Sequence, residues 1–193
     1  MLSIYKESAM QIKKSLRAGI LKKLGSLGPQ VLETKSLRIK KKLFSLEAFQ
    51  KAGCVCFYVS LPLEVDTTGM IDEALALGKR VVVPLTNLEN KELSLYEITD
   101  RRIDLEKGAF GVMEPRPSKT LPARLAEVEC LIVPGVVFDR KNHRIGHGGG
   151  YYDRLLEKCP PRVLKIGLAF SFQVVQEIPA EAHDVKLDMV LTD

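Results

Sequence analysis

The sequence predicts a three-layer α/β/α fold with a mainly parallel sheet and N-terminal helices packed on it. Three observations point there. Short, continuous apolar runs such as Cys130-Leu-Ile-Val-Pro134 recur after residue 53, the texture of strands buried on both faces. Segments with helical apolar spacing separate several of these runs, which implies crossover units and a parallel sheet. The first 51 residues contain no such run and read as helix throughout. At 193 residues the chain suits one domain spanning 1–193, and no linker, repeat or low-complexity tract divides it.

In the first segment Ile12, Leu16, Ile20 and Leu24 recur every four residues with Lys and Arg between them, an amphipathic helix. Gly25-Ser-Leu-Gly-Pro29 ends it and opens a second helix, with Pro29 in the first turn. That helix runs to about Ser45 through Leu32, Ser36, Ile39 and Leu43, and carries Lys35, Arg38, Lys40, Lys41 and Lys42 on its exposed side. Val55–Leu61 reads as a buried strand. Asp66 and Thr67 are placed to cap a helix through Ile71, Ala74 and Leu75 that ends near Gly78. Arg80–Pro84 reads as a second buried strand, and Leu93–Ile98 alternates as a half-exposed one. Thr99–Ala123, rich in Gly, Pro and charge, reads as mostly loop. Cys130–Pro134 is a third buried strand. A helix then leaves Gly150 and reaches Lys158, Leu164–Phe170 is a fourth buried strand, and Met189–Thr192 closes the chain as a short one.

Composition excludes several classes. The hydrophobic fraction is 46%, enough for a real core and unlike a disordered chain. No apolar run approaches the roughly 18 residues of a membrane span, and the N-terminus lacks the pattern of a signal peptide. Cys54, Cys56, Cys130 and Cys159 have no C-x-x-C spacing and read as reduced thiols in a cytoplasmic protein. The net charge of +5 is uneven: residues 1–51 hold 12 Lys and Arg against 3 acids. A basic stretch of this kind suits nucleic acid or a solvated helix face that also supplies a phosphate contact. No nucleic-acid recognition motif accompanies it and no aromatic residue lies between positions 6 and 43, so no nucleic-acid partner is expected.

The chemistry is concentrated in Val133-Pro-Gly-Val-Val-Phe-Asp139 and Arg144-Ile-Gly-His-Gly-Gly-Gly-Tyr-Tyr-Asp-Arg154. Four of the five residues from 146 to 150 are glycine, with a strand leading in and a helix leading out. Ligands of open α/β sheets bind at the carboxyl ends of strands. Glycines admit close backbone approach, and a helix N-terminus adds partial positive charge. The segment therefore reads as an anion cradle for phosphate or a nucleotide; the bland alternative is a glycine turn without a ligand. The pattern is neither a Walker loop nor the dinucleotide fingerprint. Arg144 and Arg154 bracket it. Asp153, one turn into the helix, is either an oxygen ligand for Mg²⁺ or ordinary first-turn charge.

These residues resemble the signature of the 5-formyltetrahydrofolate cyclo-ligase family, also called methenyltetrahydrofolate synthetase. Other segments match in order: Lys13-Lys-Ser-Leu-Arg17, Tyr58-Val-Ser-Leu-Pro-Leu-Glu64, Gly108-Ala-Phe-Gly-Val-Met-Glu-Pro115, and Ile178-Pro-Ala-Glu-Ala-His-Asp184. The resemblance covers nearly the whole chain. It implies a monomeric enzyme that uses ATP and Mg²⁺ to cyclise 5-formyltetrahydrofolate to the 5,10-methenyl product through a phosphorylated formyl group. It also implies site roles. Lys13 and Arg17, four apart on one helix face, fall at the ATP phosphates, with Lys14 an alternative to Lys13; Arg144 and Lys13 are the catalytic cations. Arg144, Ile145, Gly146, His147, Gly148, Gly149, Gly150, Tyr151 and Tyr152 match the ATP loop. Gly148 to Tyr152 and Glu64 match the folate side, where Tyr151 and Tyr152 either stack on a flat ring or pack the helix, and where a carboxylate can accept a pterin's N–H groups. Asp153 and Asp184 match metal positions, while nothing supports His183 as a base. The sequence departs from the pattern at His147, at Phe110 in place of the common Trp, and at Leu85 in place of a frequent Arg. The rival readings are a sugar-phosphate isomerase-like or CoA-transferase-like enzyme, and a nucleotide- or nucleic-acid-binding module using the basic helices.

Overall fold

The computed structural model describes residues 2–179, 181 and 184–193, with side chains from residue 9 onward. Two helices open the chain, α1 (Leu2–Gly25) and α2 (Pro29–Ser45), followed by the short α3 (Glu47–Lys51). Pro29 stands in the first turn of α2 behind an extended Gly28, where its missing N–H is no loss. Leu32, Ser36, Ile39 and Leu43 of α2 are buried, as their spacing requires.

The sheet begins with β1 (Cys54–Cys56), then α4 (Thr68–Ala76), β2 (Arg80–Asn87) and β3 (Glu92–Ile98). The first strand is shorter than Val55–Leu61. Phe57 adds one backbone bond to Val82, after which the chain leaves the sheet and lines the site through Tyr58, Val59, Leu61 and Glu64. At α4 the two expected capping residues divide the work. Asp66 accepts from the backbone N–H of Thr68 at 2.9 Å, whereas the Thr67 hydroxyl donates to the Tyr58 carbonyl at 2.6 Å.

The stretch expected to be loop is more ordered than its composition implies. It holds α5 (Arg101–Asp104), β4 (Leu105–Lys107), β5 (Met113–Pro115) and β6 (Leu121–Ala123). Each is three or four residues long and is held by contacts that periodicity does not reveal. Asp104, for example, accepts from the backbone N–H groups of Thr99 and Asp100. Further on come β7 (Cys130–Val133), β8 (Val137–Asp139), β9 (Arg144–Ile145), α6 (Tyr151–Glu157), β10 (Leu164–Ala169), β11 (Val174–Val175) and β12 (Met189–Thr192).

The central sheet has seven strands in the order β12-β10-β7-β1-β2-β3-β6. The pairs from β12 to β2 are parallel, and β3 and β6 extend the sheet antiparallel. Alternate residues of each strand enter opposite cores. Val81 and Val83 join Ile39, Leu43, Met70 and Ile71 beneath α2 and α4. Val82, Leu131 and Val133 join Leu155, Leu156 and Leu187 beneath α6. This gives three layers and the mainly parallel sheet that the sequence predicts. A second sheet, β11-β8-β9, lies beyond the carboxyl end of β7. Leu16, Ile20 and Leu21 of α1 pack on its Val136, Val137 and Ile145, which brings α1 alongside the glycine segment.

Candidate active site

The carboxyl ends of β1, β2 and β7 open into one cavity of about 430 Å³, within the usual range for a small-molecule site. Its walls include Tyr58, Val59 and Glu64 after β1, Pro84 and Thr86 of β2, Pro134 after β7, and the glycine segment with Tyr151, Tyr152 and Asp153. Phe110, Val112 and Glu114 complete it from the region of β5.

The glycine segment is shaped by its own sequence. Gly148 and Gly150 take left-handed backbone angles, with φ of 104° and 71°, which side chains rarely adopt. Gly150 is the N-cap of α6, so the loop delivers its backbone to a helix start. Arg17 of α1 donates from Nε to the Gly146 carbonyl at 2.8 Å. Arg154 holds the other side: its Nε donates to the Lys91 carbonyl at 2.7 Å and its Nη2 to the Gly149 carbonyl at 2.9 Å. The turn between β2 and β3 is thereby fastened to the loop. Arg154 thus shapes the loop from behind, a role its bracketing position does not reveal.

Arg144 is the most unusual group in the site. Its side chain is 4% exposed. Nη2 donates to Asp153 at 2.8 Å, while Nε is the one buried side-chain nitrogen or oxygen among the described residues that has no partner. An unsatisfied buried donor costs about 1–3 kcal/mol. Burial holds the Arg144 pKa below its ordinary value, with Asp153 and Tyr152 pulling the other way. A buried cation with a spare N–H, beside a glycine loop and a helix N-terminus, suits an anionic ligand.

Lys13 takes a different position from Arg17. Its Nζ donates to Asp184 at 2.9 Å and to Glu181 at 3.2 Å. Burial lowers its pKa, but these two carboxylates outweigh the burial and hold it above the ordinary value. The group therefore stays a cation, and its contacts tie α1 to the C-terminal segment. Asp184 also acts electrostatically on Arg144, so Lys13, Asp184, Arg144 and Asp153 form one neighbourhood of charge. No group of three or more His, Cys, Asp or Glu among the described residues is arranged to hold a metal ion. Mg²⁺ needs no such cage when a nucleotide supplies most of its oxygens, and the Asp153 carboxylate, half in solvent, is of the right chemistry. His183 lies outside the described residues.

On the wall after β1, Glu64 accepts from the Leu61 N–H at 2.9 Å and faces Nε2 of His147 at 3.2 Å. Tyr152 spans the two main cores, and desolvation pushes its hydroxyl well above the ordinary phenol pKa. Tyr151 meets Phe110 edge to face at 6.0 Å between ring centres. The two tyrosines thus pack the start of α6 and line the cavity at once. Glu114 is a buried acid with no assigned role in the sequence reading. It accepts from the backbone N–H of Thr86 and of Ala109, and a Cβ on Gly108 would sit 2.0 Å from its Oε2. The glycine at 108 is what signals it.

The model of the 5-formyltetrahydrofolate cyclo-ligase family matches residues 9–193. The chain belongs to that family. It is therefore an enzyme, and a ligase. Among relatives, a probable 5-formyltetrahydrofolate cyclo-ligase of Schizosaccharomyces pombe is 32% identical, covering 95% of this chain and 96% of the other. The 5-formyltetrahydrofolate cyclo-ligase of Mycolicibacterium smegmatis is also 32% identical, covering 93% of each chain. The NMR structure of Aquifex aeolicus 5,10-methenyltetrahydrofolate synthetase superposes with a TM-score of 0.82 at 36% identity, over 94% of this chain and 89% of that one. Membership gives the cavity a context: the matched residues include α1 from Ala9 onward, the glycine segment and both of its arginines.

Proposed function

We propose that this chain cyclises 5-formyltetrahydrofolate to 5,10-methenyltetrahydrofolate at the expense of ATP, releasing ADP and phosphate. The observation that carries the reading is Arg144, buried with an unsatisfied Nε beside the glycine loop, at the edge of a cavity that Glu64 also lines. One wall suits a polyphosphate and the other suits a flat heterocycle with N–H donors.

The chemistry asks for charge neutralisation and alignment. The formyl oxygen attacks the γ-phosphorus, and the bond from that phosphorus to the ADP oxygen breaks. N10 then forms a bond to the activated formyl carbon, loses its proton, and the carbon–oxygen bond breaks to release phosphate. A carbonyl oxygen leaves poorly, whereas its phosphate ester leaves well. Backbone N–H groups of residues 145–152, Arg144 and Arg17 bind and orient the phosphates. Lys13 reaches them by exchanging a carboxylate partner for phosphate oxygen. Glu64 accepts from the heterocycle, with Tyr151 and Tyr152 beside it. Mg²⁺ would be held by Asp153 and Asp184 and would neutralise phosphate charge.

A monomer acting in the cytoplasm fits these features. Cys54, Cys56 and Cys130 are buried free thiols, and burial pushes Cys130 up to about 12, which keeps it inert. No described helix is long and apolar enough to cross a membrane. The basic face of α2 is largely used internally, through Lys35 to Asp193, Lys40 to Glu73 and Lys42 to the Thr192 carbonyl, so no nucleic-acid role is assigned to it.

The test is the purified chain with Mg-ATP and 5-formyltetrahydrofolate, following methenyl product by absorbance and phosphate release in parallel. The expected result is product and phosphate in equal amounts, with none when either substrate is left out. Phosphate release without the folate, or none with it, would overturn the reading and reopen an isomerase-like or transferase-like activity.

A further inference from the structure

His147 and Glu64 both line the cavity and meet side chain to side chain. His147 sits in the glycine loop between Gly146 and Gly148, and Glu64 on the wall after β1. Nε2 lies 3.2 Å from Oε1. An ionised carboxylate only accepts, so Nε2 carries the proton and donates. Oε2 of the same carboxylate accepts from the Leu61 N–H. Each oxygen is thus fixed by one donor, which leaves further lone pairs on both for a ligand.

The two anchors differ in kind. Leu61 belongs to the same short segment as Glu64 and fixes it locally. His147 belongs to the loop read as holding the nucleotide. The glutamate side chain is 12% exposed and the histidine 49%. As a simple ion pair this contact would contribute little. Its effect is on orientation: Arg17 and Arg154 already hold the loop with Nε2 against Glu64, and phosphate bound on the loop braces that arrangement further.

We propose that His147 is a positioning residue that couples the two substrates, so that nucleotide bound on the glycine loop orients Glu64 for the formylated folate. This rests on the folate and nucleotide reading above. Coupling between two ligands is reciprocal, so the folate must tighten nucleotide binding by the same factor.

Calorimetry on the full chain tests it. The dissociation constant of 5-formyltetrahydrofolate is measured alone and again with saturating Mg²⁺ and a non-hydrolysable ATP analogue. The ratio of the two constants is the coupling factor. The wild-type ratio is expected to be about 5 or more, the lower end of ordinary allosteric coupling. In His147→Ala it should fall to about 1, with the folate alone bound no more tightly than by the wild type. His147→Gln keeps an N–H donor and should recover most of the ratio. A purely structural role for the ring would change affinities or stability without abolishing this ratio and recovering it with glutamine. A wild-type ratio of 1, an unchanged ratio in His147→Ala, or tighter folate binding in that variant because a competitor for Glu64 has gone, would each overturn the proposal while leaving the folate reading intact. A wild-type chain that binds neither ligand removes the folate reading itself.

Discussion

Arg144 donates from Nη2 to Asp153 at 2.8 Å while its Nε, a few bonds away, faces no partner at all. A buried cation in this state is held for a ligand rather than for the fold. Arg144→Met should therefore separate the two. Turnover should fall by about 10²–10³-fold or more, the usual loss when a charge-stabilising donor is removed. The melting temperature should hold or rise, because a well-packed apolar chain avoids the desolvation of the guanidinium, and Asp153 is exposed enough to be solvated. The rise in melting temperature on adding Mg-ATP should also disappear. A drop of several degrees in the ligand-free melt would show that Arg144 serves the fold instead.

Gly149 tests the loop by shape. A Cβ there would lie 2.8 Å from two ring carbons of Tyr151, so any side chain pushes the loop or the ring away from its place. Gly149→Val should abolish measurable turnover with the far-ultraviolet circular dichroism unchanged, since the position is exposed and lies outside both cores. Unchanged turnover would refute the cradle.

Glu64 is assigned to the folate wall, so Glu64→Ala should raise the KM for 5-formyltetrahydrofolate by about tenfold or more, the effect of losing a charged hydrogen bond. The KM for ATP should move less. Steady-state kinetics with each substrate varied against saturating partner gives the ranking, and the opposite order would sink the assignment.

Much of this is legible in the residues alone, and the boundary has physical causes. The buried strands declare themselves because both faces are apolar, and α2 because its apolar residues repeat at helical spacing. The glycine segment is legible because few other uses need four glycines between a strand and a helix. What escapes is held by distant partners. The β11-β8-β9 sheet pairs residues far apart in sequence, such as Val175 with Asp139, and its strands are too short to show a period. The spacing of Lys13 and Arg17 puts both on one helix face, yet one turns to Gly146 and the other to Asp184 and Glu181. Only the C-terminal segment, folded back from the far end of the chain, decides that.

Asp139 shows how such distant contacts aim the site. It is 1% exposed and lies in the hairpin that leads to Arg144. Oδ1 accepts from the backbone N–H groups of Lys141 and His143. Oδ2 accepts from the His143 ring and from the backbone N–H of Ile178. Burial pushes its pKa up, but the N–H groups of Ile178 and His143, with the ring and Lys141, outweigh this and hold it below the ordinary 3.8. A carboxylate whose folded pKa is depressed contributes stability above its ordinary pKa, and that contribution is lost as the pH falls through the folded value. Thermal melts of the wild type should therefore drop as the pH goes below about 4. Asp139→Asn should melt lower already at neutral pH, by about 2–4 kcal/mol in stability, because its amide nitrogen must replace one oxygen and then faces two donors. Its melt should in turn vary less with acid below pH 4. Equal stability of the two proteins at neutral pH would mean that the hairpin is held without Asp139, and the aim of Arg144 would need another support.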